Sequence, residues 1–268
     1  MIKRILLSML LALSFSIPGP GGLLPVYAEK SRSLMTDPLI DMKHSDIPHH
    51  NPATGSEESL ELELIHPGLQ RHHPFPHEMI LIDVGHGGID GGTSYQGILE
   101  KDINLAISRH LFKRLRSEGY IAVMNRDADY ALSEDNRWHA SRSRHRKDLA
   151  QRKQLSSEIP TKLVVSIHVN WAKNKTKRGG IVLHQAEGRS SLLAECIQRQ
   201  LNGVYSSNHE TTVGKPFYLL NRMEVPAVIV ETGFISNLED RILLTSEDGQ
   251  KAIANAIVDG IVDYLTAL

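Results

Sequence analysis

The sequence predicts an α/β domain of three layers, in which a mostly parallel, twisted sheet of about six strands lies between helices. Short apolar runs typical of buried parallel strands alternate along the chain with longer segments of helical spacing. Polar residues suited to chemistry follow several of these runs, as expected at the carboxyl ends of parallel strands. The chain has 268 residues, 41% of them hydrophobic and 23% charged, which is the composition of a globular protein.

The first strand is predicted at 79–84, where the apolar run MILIDV is followed by glycine. The other apolar runs of strand length predict strands at 121–124, 163–169, 180–183, 217–220 and 225–231.

The first helix is predicted at 102–118, because Ile103, Ile107, Leu111 and Leu115 recur at helical spacing and Gly119 follows. Further helices are predicted at 190–204 and at 249–265, the second of them amphipathic.

The charge balance excludes some partners. Lys and Arg number 30 and Asp and Glu number 31, so the chain has no overall field that would hold nucleic acid or an anionic membrane. Cys196 is the single cysteine, which excludes an internal disulfide and any zinc site built from several thiolates.

Residues 1–28 have the pattern of a secretion signal. Lys3 and Arg4 precede an apolar stretch at 5–17, and small residues stand at Val26 and Ala28, where signal peptidase reads. Cleavage after Ala28 or retention as an N-terminal anchor both place the rest of the chain outside the cytoplasm. Membrane contact is expected only through an uncleaved N-terminal segment.

Residues 29–78 are predicted to be a disordered linker, rich in proline and histidine, before a catalytic domain at 79–268. Seven of the 14 histidines lie between His44 and His77. They could collect metal, but flexible ligands must lose conformational entropy to form a site, so a polar tether is the favoured interpretation.

A basic interval at 137–153 has two interpretations. It is either a solvated loop that leads into a helix, or a surface that docks an anionic polymer or a regulatory protein. Its only acidic residue is Asp148. Its basic residues are Arg137, Arg142, Arg144, Arg146, Lys147, Arg152 and Lys153.

Three residues have the chemistry of a metal site. His86 stands in the glycine-rich turn after the first strand, His168 lies inside an apolar strand, and Glu100 opens the first helix. Each has an ordinary alternative: a structural histidine, or a carboxylate favoured by the helix dipole. Together, two histidines and one glutamate form a catalytic zinc set with one position open to water.

Glu231 follows the apolar run VIV, so burial is expected to raise its pKa. A glutamate of this kind suits general base and general acid catalysis near neutral pH. The alternative is a glutamate paired with a surface arginine.

From about 79 to 268 the chain resembles the zinc-dependent N-acetylmuramoyl-L-alanine amidases, which cleave peptidoglycan. The matching motifs are GHGG at 85–88, DGG at 90–92, EKDINL at 100–105, SIHVN at 166–170 and PAVIVETGFISN at 226–237. The resemblance implies a six-stranded, phosphorylase/hydrolase-like fold, one Zn2+ per chain on His86, Glu100 and His168, and catalysis by Glu231.

The short chain, without cell-wall-binding repeats, is most similar to the spore-cortex, germination-related amidases of this family. The resemblance therefore implies action in the cell wall or the spore intermembrane space, where such enzymes form muramic δ-lactam together with a deacetylase. Asn170 and Asp83 are candidates for partners of the metal-bound imidazoles or for substrate contacts. Arg126 is expected to bind a substrate carboxylate or to form a structural ion pair.

Two other classes of protein use some of the same features. A carboxypeptidase or a deacetylase could use the same zinc ligands, and a non-catalytic exported zinc-binding protein could use the histidine-rich segment. Release of peptides that begin with L-alanine would distinguish an amidase from all three.

Overall fold

The computed structural model describes residues 77–134 and 141–268. The predicted signal at 1–28, nearly all of the predicted linker at 29–78, and Arg137 lie outside these residues. Within the described part of the chain, no helix is both long enough and apolar enough to cross a membrane.

A six-stranded sheet forms the centre of the domain, with the spatial order β4-β1-β5-β8-β6-β7. All neighbouring strands in it are parallel except β6 and β8, which are antiparallel. The predicted α/β class and mostly parallel sheet are therefore confirmed. In chain order the strands are β1 (Met79–Val84), β2 (Ser94–Tyr95), β3 (Ile98–Leu99), β4 (Ala122–Met124), β5 (Thr161–Asn170), β6 (Ile181–His184), β7 (Thr212–Val213) and β8 (Ala227–Phe234); β2 and β3 form a separate hairpin.

Three helices agree with the predicted ones to within two residues at either end. A further helix begins inside the basic interval, and a short one precedes the last. In chain order the helices are α1 (Glu100–Ser117), α2 (Arg144–Glu158), α3 (Gly188–Tyr205), α4 (Leu238–Thr245) and α5 (Glu247–Thr266).

Alternate residues of the strands face opposite sides of the sheet, and each side has its own apolar core. Ile82 and Ile167 pack on one side in a cluster that includes residues of α1, α3 and α5. Leu81 and Val164 pack on the other side, where Leu149 of α2 and the segment 219–223 cover them. The domain therefore has the three predicted layers.

The strand predicted at 217–220 is wrong. These residues form turns, in which Phe217 N–H donates to Gly214 O at 3.1 Å and Asn221 N–H donates to Phe217 O at 3.2 Å. Leu219 and Leu220 lie in this loop and are buried. They are apolar because they pack over one face of the sheet, and not because they belong to a paired strand. The sixth strand is instead β7, whose two residues are too few to show a period.

The sequence indicated that the last strand ends at Glu231, but the strand is longer. Strand β8 continues to Phe234, which pairs with Asn170 after an irregularity in the register of β5 and β8. Thr232 supports this continuation, because its hydroxyl donates to His168 O at 2.8 Å. Glu231 therefore lies within rigid, paired backbone.

Candidate active site

The three residues predicted as metal ligands meet at the carboxyl edge of the sheet. Glu100 Oε1 lies 3.2 Å from His86 Nε2 and 3.0 Å from His168 Nδ1. One ligand atom from each residue can be chosen so that all three lie within 4.8 Å of one another. The residues are brought together from the loop after β1, the start of α1 and the end of β5.

Backbone amides from two sides fix the Glu100 carboxylate. Oε2 accepts a hydrogen bond from Thr93 N–H at 2.7 Å, and Oε1 accepts one from Val169 N–H at 3.0 Å. Glu100 is the first residue of α1, where the helix dipole favours a negative charge. Glu100 is only 3% exposed, but both oxygens of its carboxylate accept hydrogen bonds. Its orientation is therefore set before any cation binds.

The His86 imidazole is oriented by Asp90, a residue of the same glycine-rich loop. Asp90 Oδ2 lies 2.8 Å from His86 Nδ1, which leaves Nε2 directed at Glu100. A carboxylate on the second ring nitrogen is the usual support of a metal-binding histidine. From the sequence, Asp83 or Asn170 was expected in this role. Asp90 was identifiable by its place four residues after His86.

Close approach of two backbones requires glycine at position 85. A Cβ atom there would lie 2.5 Å from Cε1 of His168 and 2.6 Å from Ile167 O. Gly85 N–H also donates to Ile167 O at 3.0 Å. The absence of a side chain at Gly85 therefore lets the loop after β1 lie against the His168 ring.

The electrostatics of the three residues fit a bound cation. Burial alone lowers the pKa of His86, but the hydrogen bond and charge of Glu100 outweigh it and raise the pKa to about 9. Burial raises the pKa of Glu100, but His168 and His86 outweigh it and hold that pKa far below its usual range. Two nitrogens and one carboxylate oxygen, open on one side to a cavity, form a donor set that suits zinc.

Glu231 faces the same cavity from β8. It pairs in register with His168 on the adjacent parallel strand. Burial raises the pKa of the Glu231 carboxyl, and the opposing charge of His168 offsets only part of this effect. The charged groups that act on Glu231 are those of the site, which favours the catalytic interpretation over pairing with a surface arginine.

A cavity of about 550 Å³ gives access to the three predicted ligands and to Glu231. One of its walls is apolar, and Trp171 and Tyr218 on it are 51% and 41% exposed. Much of this wall comes from the loop that was predicted as a strand, so the wall was not predictable from the sequence pattern. The wall consists of Leu149, Trp171, Pro216, Phe217, Tyr218 and Leu219.

Asn170 and Asp83 have different surroundings. Asn170 lines the cavity, and its Oδ1 accepts a hydrogen bond from Trp171 N–H at 2.7 Å. Its contact with substrate remains a prediction. Asp83 is 1% exposed and accepts hydrogen bonds from Asn125 Nδ2 and Ser166 Oγ. It binds neither imidazole of the site and cannot reach a substrate.

Arg126 is placed where neither expected role can operate. It is 1% exposed, and its guanidinium donates to backbone oxygens. These interactions hold the loop after β1 against α1, so the expectations of a substrate carboxylate and of an ion pair are both wrong. The accepting atoms are the carbonyl oxygens of Val84, Gly85, Lys101 and Ala128.

The basic interval divides into a surface part and a buried part. Arg142, Arg144 and Arg146 are exposed. Arg152 is 3% exposed, so counting it among the surface charges was wrong. The signal was available in the sequence, because Arg152 stands three residues after Leu149 on the inner face of α2.

Comparison with protein families gives one assignment over most of the domain. Residues 80–263 match the family described as N-acetylmuramoyl-L-alanine amidase. The matched range contains the three predicted ligands and Glu231.

Comparison with individual proteins agrees. The chain is similar to the uncharacterized protein YqiI of Bacillus subtilis, with 35% identity over 201 residues, 74% of this chain and 90% of YqiI. It is 30% identical over 199 residues to the germination-specific N-acetylmuramoyl-L-alanine amidase of the same organism, covering 72% of this chain and 82% of that one. The CwlD amidase of Clostridioides difficile, solved in complex with the GerS lipoprotein, superposes with a TM-score of 0.67 at 34% identity, covering 72% of this chain and all of CwlD.

Proposed function

The chain belongs to the N-acetylmuramoyl-L-alanine amidase family, and from this premise we propose that it is an exported zinc enzyme of spore cortex maturation. Its reaction is hydrolysis of the amide bond between the lactyl group of N-acetylmuramic acid and L-alanine in peptidoglycan.

One observation carries the proposal of a zinc mechanism. The donor atoms of His86, Glu100 and His168 converge on one cavity, and Glu231 enters the same cavity from the neighbouring strand. Three ligands and a separate glutamate are the parts that metal-assisted amide hydrolysis requires.

The three ligand residues would hold one zinc ion, which supplies Lewis acidity by acidifying water and polarising the lactyl carbonyl. Glu231 removes a proton from the attacking water as the new carbon–oxygen bond forms. The raised pKa of Glu231 favours its return of that proton to the L-alanine nitrogen as the amide bond breaks. The products are a free lactyl carboxylate and a peptide with an L-alanine amino terminus, and the second proton of the attacking water ends on that amino group.

The other groups of the cavity bind and orient the substrate. Asn170 stands beside His168 at the cavity wall, where its amide can reach a polar group of the substrate. Trp171 and Tyr218 offer exposed aromatic faces on which the apolar faces of a muropeptide can lie.

Two relatives support the place of action. One relative is the germination-specific amidase of Bacillus subtilis, and another, the CwlD amidase of Clostridioides difficile, is solved in complex with a lipoprotein. We infer that this enzyme acts in the cell wall or the spore intermembrane space, after export directed by residues 1–28. There it would remove peptides from the cortex, and a deacetylase would complete the muramic δ-lactam.

A protein partner is part of this proposal. CwlD is solved in complex with a lipoprotein. In the present chain, Arg142, Arg144 and Arg146 are exposed at the start of α2, and we assign to this basic segment the docking of peptidoglycan or of a regulatory protein. His145 lies among these arginines and also lines the cavity, so an occupant of this surface would lie close to the substrate.

Product analysis tests the proposed reaction. Purified cortex and vegetative peptidoglycan are digested side by side with the zinc-loaded protein, and the products are identified by mass. The expected products are peptides that begin with L-alanine, together with glycan that has lost its peptides, and cortex is the better substrate. Release of a terminal amino acid or of acetate would indicate a carboxypeptidase or a deacetylase and contradict the proposal.

A further inference from the structure

The backbone of the loop that carries His86 has a conformation that residues with side chains rarely adopt. His86 has a φ of 60°, in the left-handed region, and it is followed by Gly87 and Gly88 at 141° and 57°. A histidine in this region persists only where surrounding structure holds it. The position of the imidazole therefore depends on contacts from outside the loop.

Arg152 supplies such contacts from α2. Its Nη1 donates to Val84 O at 2.7 Å, and its Nη2 donates to His86 O at 3.0 Å. The guanidinium therefore bridges the carbonyl of Val84, at the end of β1, and that of His86 in the loop that follows. The guanidinium is planar and rigid. It therefore cannot follow a displaced carbonyl without weakening its hydrogen bond to the other carbonyl.

Arg152 is itself fixed from both sides. Its Nη1 donates to Asp83 Oδ1 at 2.6 Å, and its Nε donates to Asp148 Oδ2 at 2.5 Å. Asp83 in turn accepts a hydrogen bond from the hydroxyl of Ser166, which lies two residues before His168 on β5. The network therefore connects the loop of one proposed metal ligand with the strand of another.

Stability alone accounts poorly for this arrangement. The side chains of Arg152 and Asp83 are 3% and 2% exposed, so neither reaches the substrate. The cost of removing both charges from water largely offsets their attraction, which makes a buried ion pair a weak source of stability. A rigid, fully bonded guanidinium does fix geometry, and the geometry that it fixes here is that of the His86 backbone.

We propose that Arg152 is a positioning residue for His86: it holds the loop so that His86 Nε2 is directed at Glu100 before zinc binds. The proposal rests on the zinc site put forward above. Arg152 belongs to α2, and it contacts neither the substrate nor the ring nitrogens of the proposed metal ligands. Its consequence is that Arg152 sets the affinity for zinc.

The test is Arg152→Lys in the full chain. Lysine keeps the positive charge beside Asp83 but has no planar fork to bridge the carbonyls of Val84 and His86. The zinc dissociation constant, measured by competition with a chromophoric chelator, is expected to rise by ~10-fold to 100-fold, the usual effect of losing a residue that supports a metal ligand. Arg146→Lys is the matched control on the same helix, where the arginine is exposed, and should leave zinc affinity unchanged.

The absorption spectrum of bound Co2+ gives a second readout. Co2+ substituted for zinc reports the geometry of its ligands, so Arg152→Lys should alter the spectrum, whereas Arg146→Lys should not. A variant with a native circular dichroism spectrum, the wild-type zinc affinity and the wild-type Co2+ spectrum would overturn the proposal and leave Arg152 a structural residue.

If Arg152→Lys does not fold, Asp148→Ala replaces it, because alanine has no side-chain acceptor for Arg152 Nε and therefore removes one anchor of Arg152. A weaker loss of zinc affinity in this variant supports the proposal, and an unchanged affinity overturns it. If the wild-type chain binds no zinc, the proposed metal site fails as well, which distinguishes that failure from failure of the positioning role alone.

Discussion

His168 and Glu231 occupy paired positions on the neighbouring parallel strands β5 and β8. Adjacent strands in a sheet lie about 4.8 Å apart, so the backbone itself holds the proposed proton carrier beside a proposed metal ligand. The two residues differ in their partners: His168 lies against Glu100, whereas Glu231 has no place in the ligand set. Metal binding and proton transfer should therefore be separable by mutation.

Glu231→Gln should retain zinc and the native fold, because glutamine has nearly the same shape and Glu231 is not a ligand. Its rate should fall by at least ~10²-fold, since a positioned general base contributes that much. Activity on muropeptides and the zinc content of the same preparation are measured together. Glu210→Gln, at an exposed position, is the control and should behave as wild type. Near-normal turnover in Glu231→Gln would assign the proton transfer to another group.

His86→Ala, Glu100→Ala and His168→Ala should each lose zinc and activity, because two remaining ligands rarely hold a catalytic metal. Metal analysis of the purified variants checks this, and removal of zinc from the wild type by a chelator should reproduce the loss reversibly. His209→Ala, whose ring contacts Arg178 O outside the cavity, should keep full zinc content. A variant of the first three with one zinc per chain would remove that residue from the ligand set.

The activity should depend on pH through Glu231. Burial raises the pKa of this carboxyl above its ordinary value of 4.5, so the carboxyl takes up its proton at a higher pH than an exposed glutamate would. A protonated Glu231 cannot accept a proton from water. The acid side of the profile of kcat/KM against pH should therefore fall with a midpoint above 4.5. That limb should be missing from the residual activity of Glu231→Gln, and its persistence there would point to a different titrating group.

The parts of the fold that follow from periodicity were predictable. Strands such as β1 and β5 are buried on both faces, and helix α1 has a regular apolar face, so both types of segment have a clear pattern in the sequence. The loop at 214–223 was predicted as a strand because Leu219 and Leu220 are apolar. These residues pack over the sheet, and the sequence pattern alone does not distinguish a buried loop residue from a residue of a buried strand.

The residues of the site that stand in family motifs were predictable from the sequence. His86, Glu100 and His168 stand in recognisable motifs, and the structure brings them together. Arg126 was misjudged because an arginine inside a protein is rare, and nothing local in the sequence shows that backbone carbonyls will accept its hydrogen bonds. For Arg152, the spacing from Leu149 indicated burial, but nothing local showed that Asp83 would be its partner. Those contacts arise from chain segments that are distant in sequence and meet only in the fold.

Gly85→Ala should damage the site by steric overlap. The new methyl group would lie 2.5 Å from His168 Cε1 and 2.6 Å from Ile167 O, and the carbonyl belongs to a strand that cannot yield easily. We expect a loss of about 1–3 kcal/mol in the free energy of unfolding, together with weaker zinc binding. Thermal unfolding and zinc competition measure the two effects. Gly203→Ala is the control: it meets no atom within 4 Å in the interior of α3, and it should stabilise the protein by about 0.5–1 kcal/mol. Equal behaviour of the two variants would contradict the steric argument.

The exposed arginines at the start of α2 should contribute to attachment rather than to folding. Arg142, Arg144 and Arg146 are exposed, and Ser143 between them caps the helix by accepting a hydrogen bond from Arg146 N–H. Changing all three arginines to alanine leaves that backbone interaction in place. The effect on the free energy of unfolding should therefore be small, at most about 0.5 kcal/mol for each position. Retention on insoluble cortex should weaken at low salt, because three charges proposed to attract an anionic polymer are lost.

The salt series makes this last prediction specific. Screening reduces the attraction between exposed charges, so the difference between the wild type and the triple-alanine variant should shrink as salt is added. A variant with three lysines at the same positions keeps the charge and should be retained as wild type is, whereas a role that depends on the guanidinium would not be rescued. Arg152 is left unchanged in both variants, since it is buried against Asp83 and its loss would disturb the site rather than the surface. If the wild type and the triple-alanine variant are retained equally at every salt concentration and have equal activity, this stretch of α2 is an ordinary solvated surface and the docking site lies elsewhere.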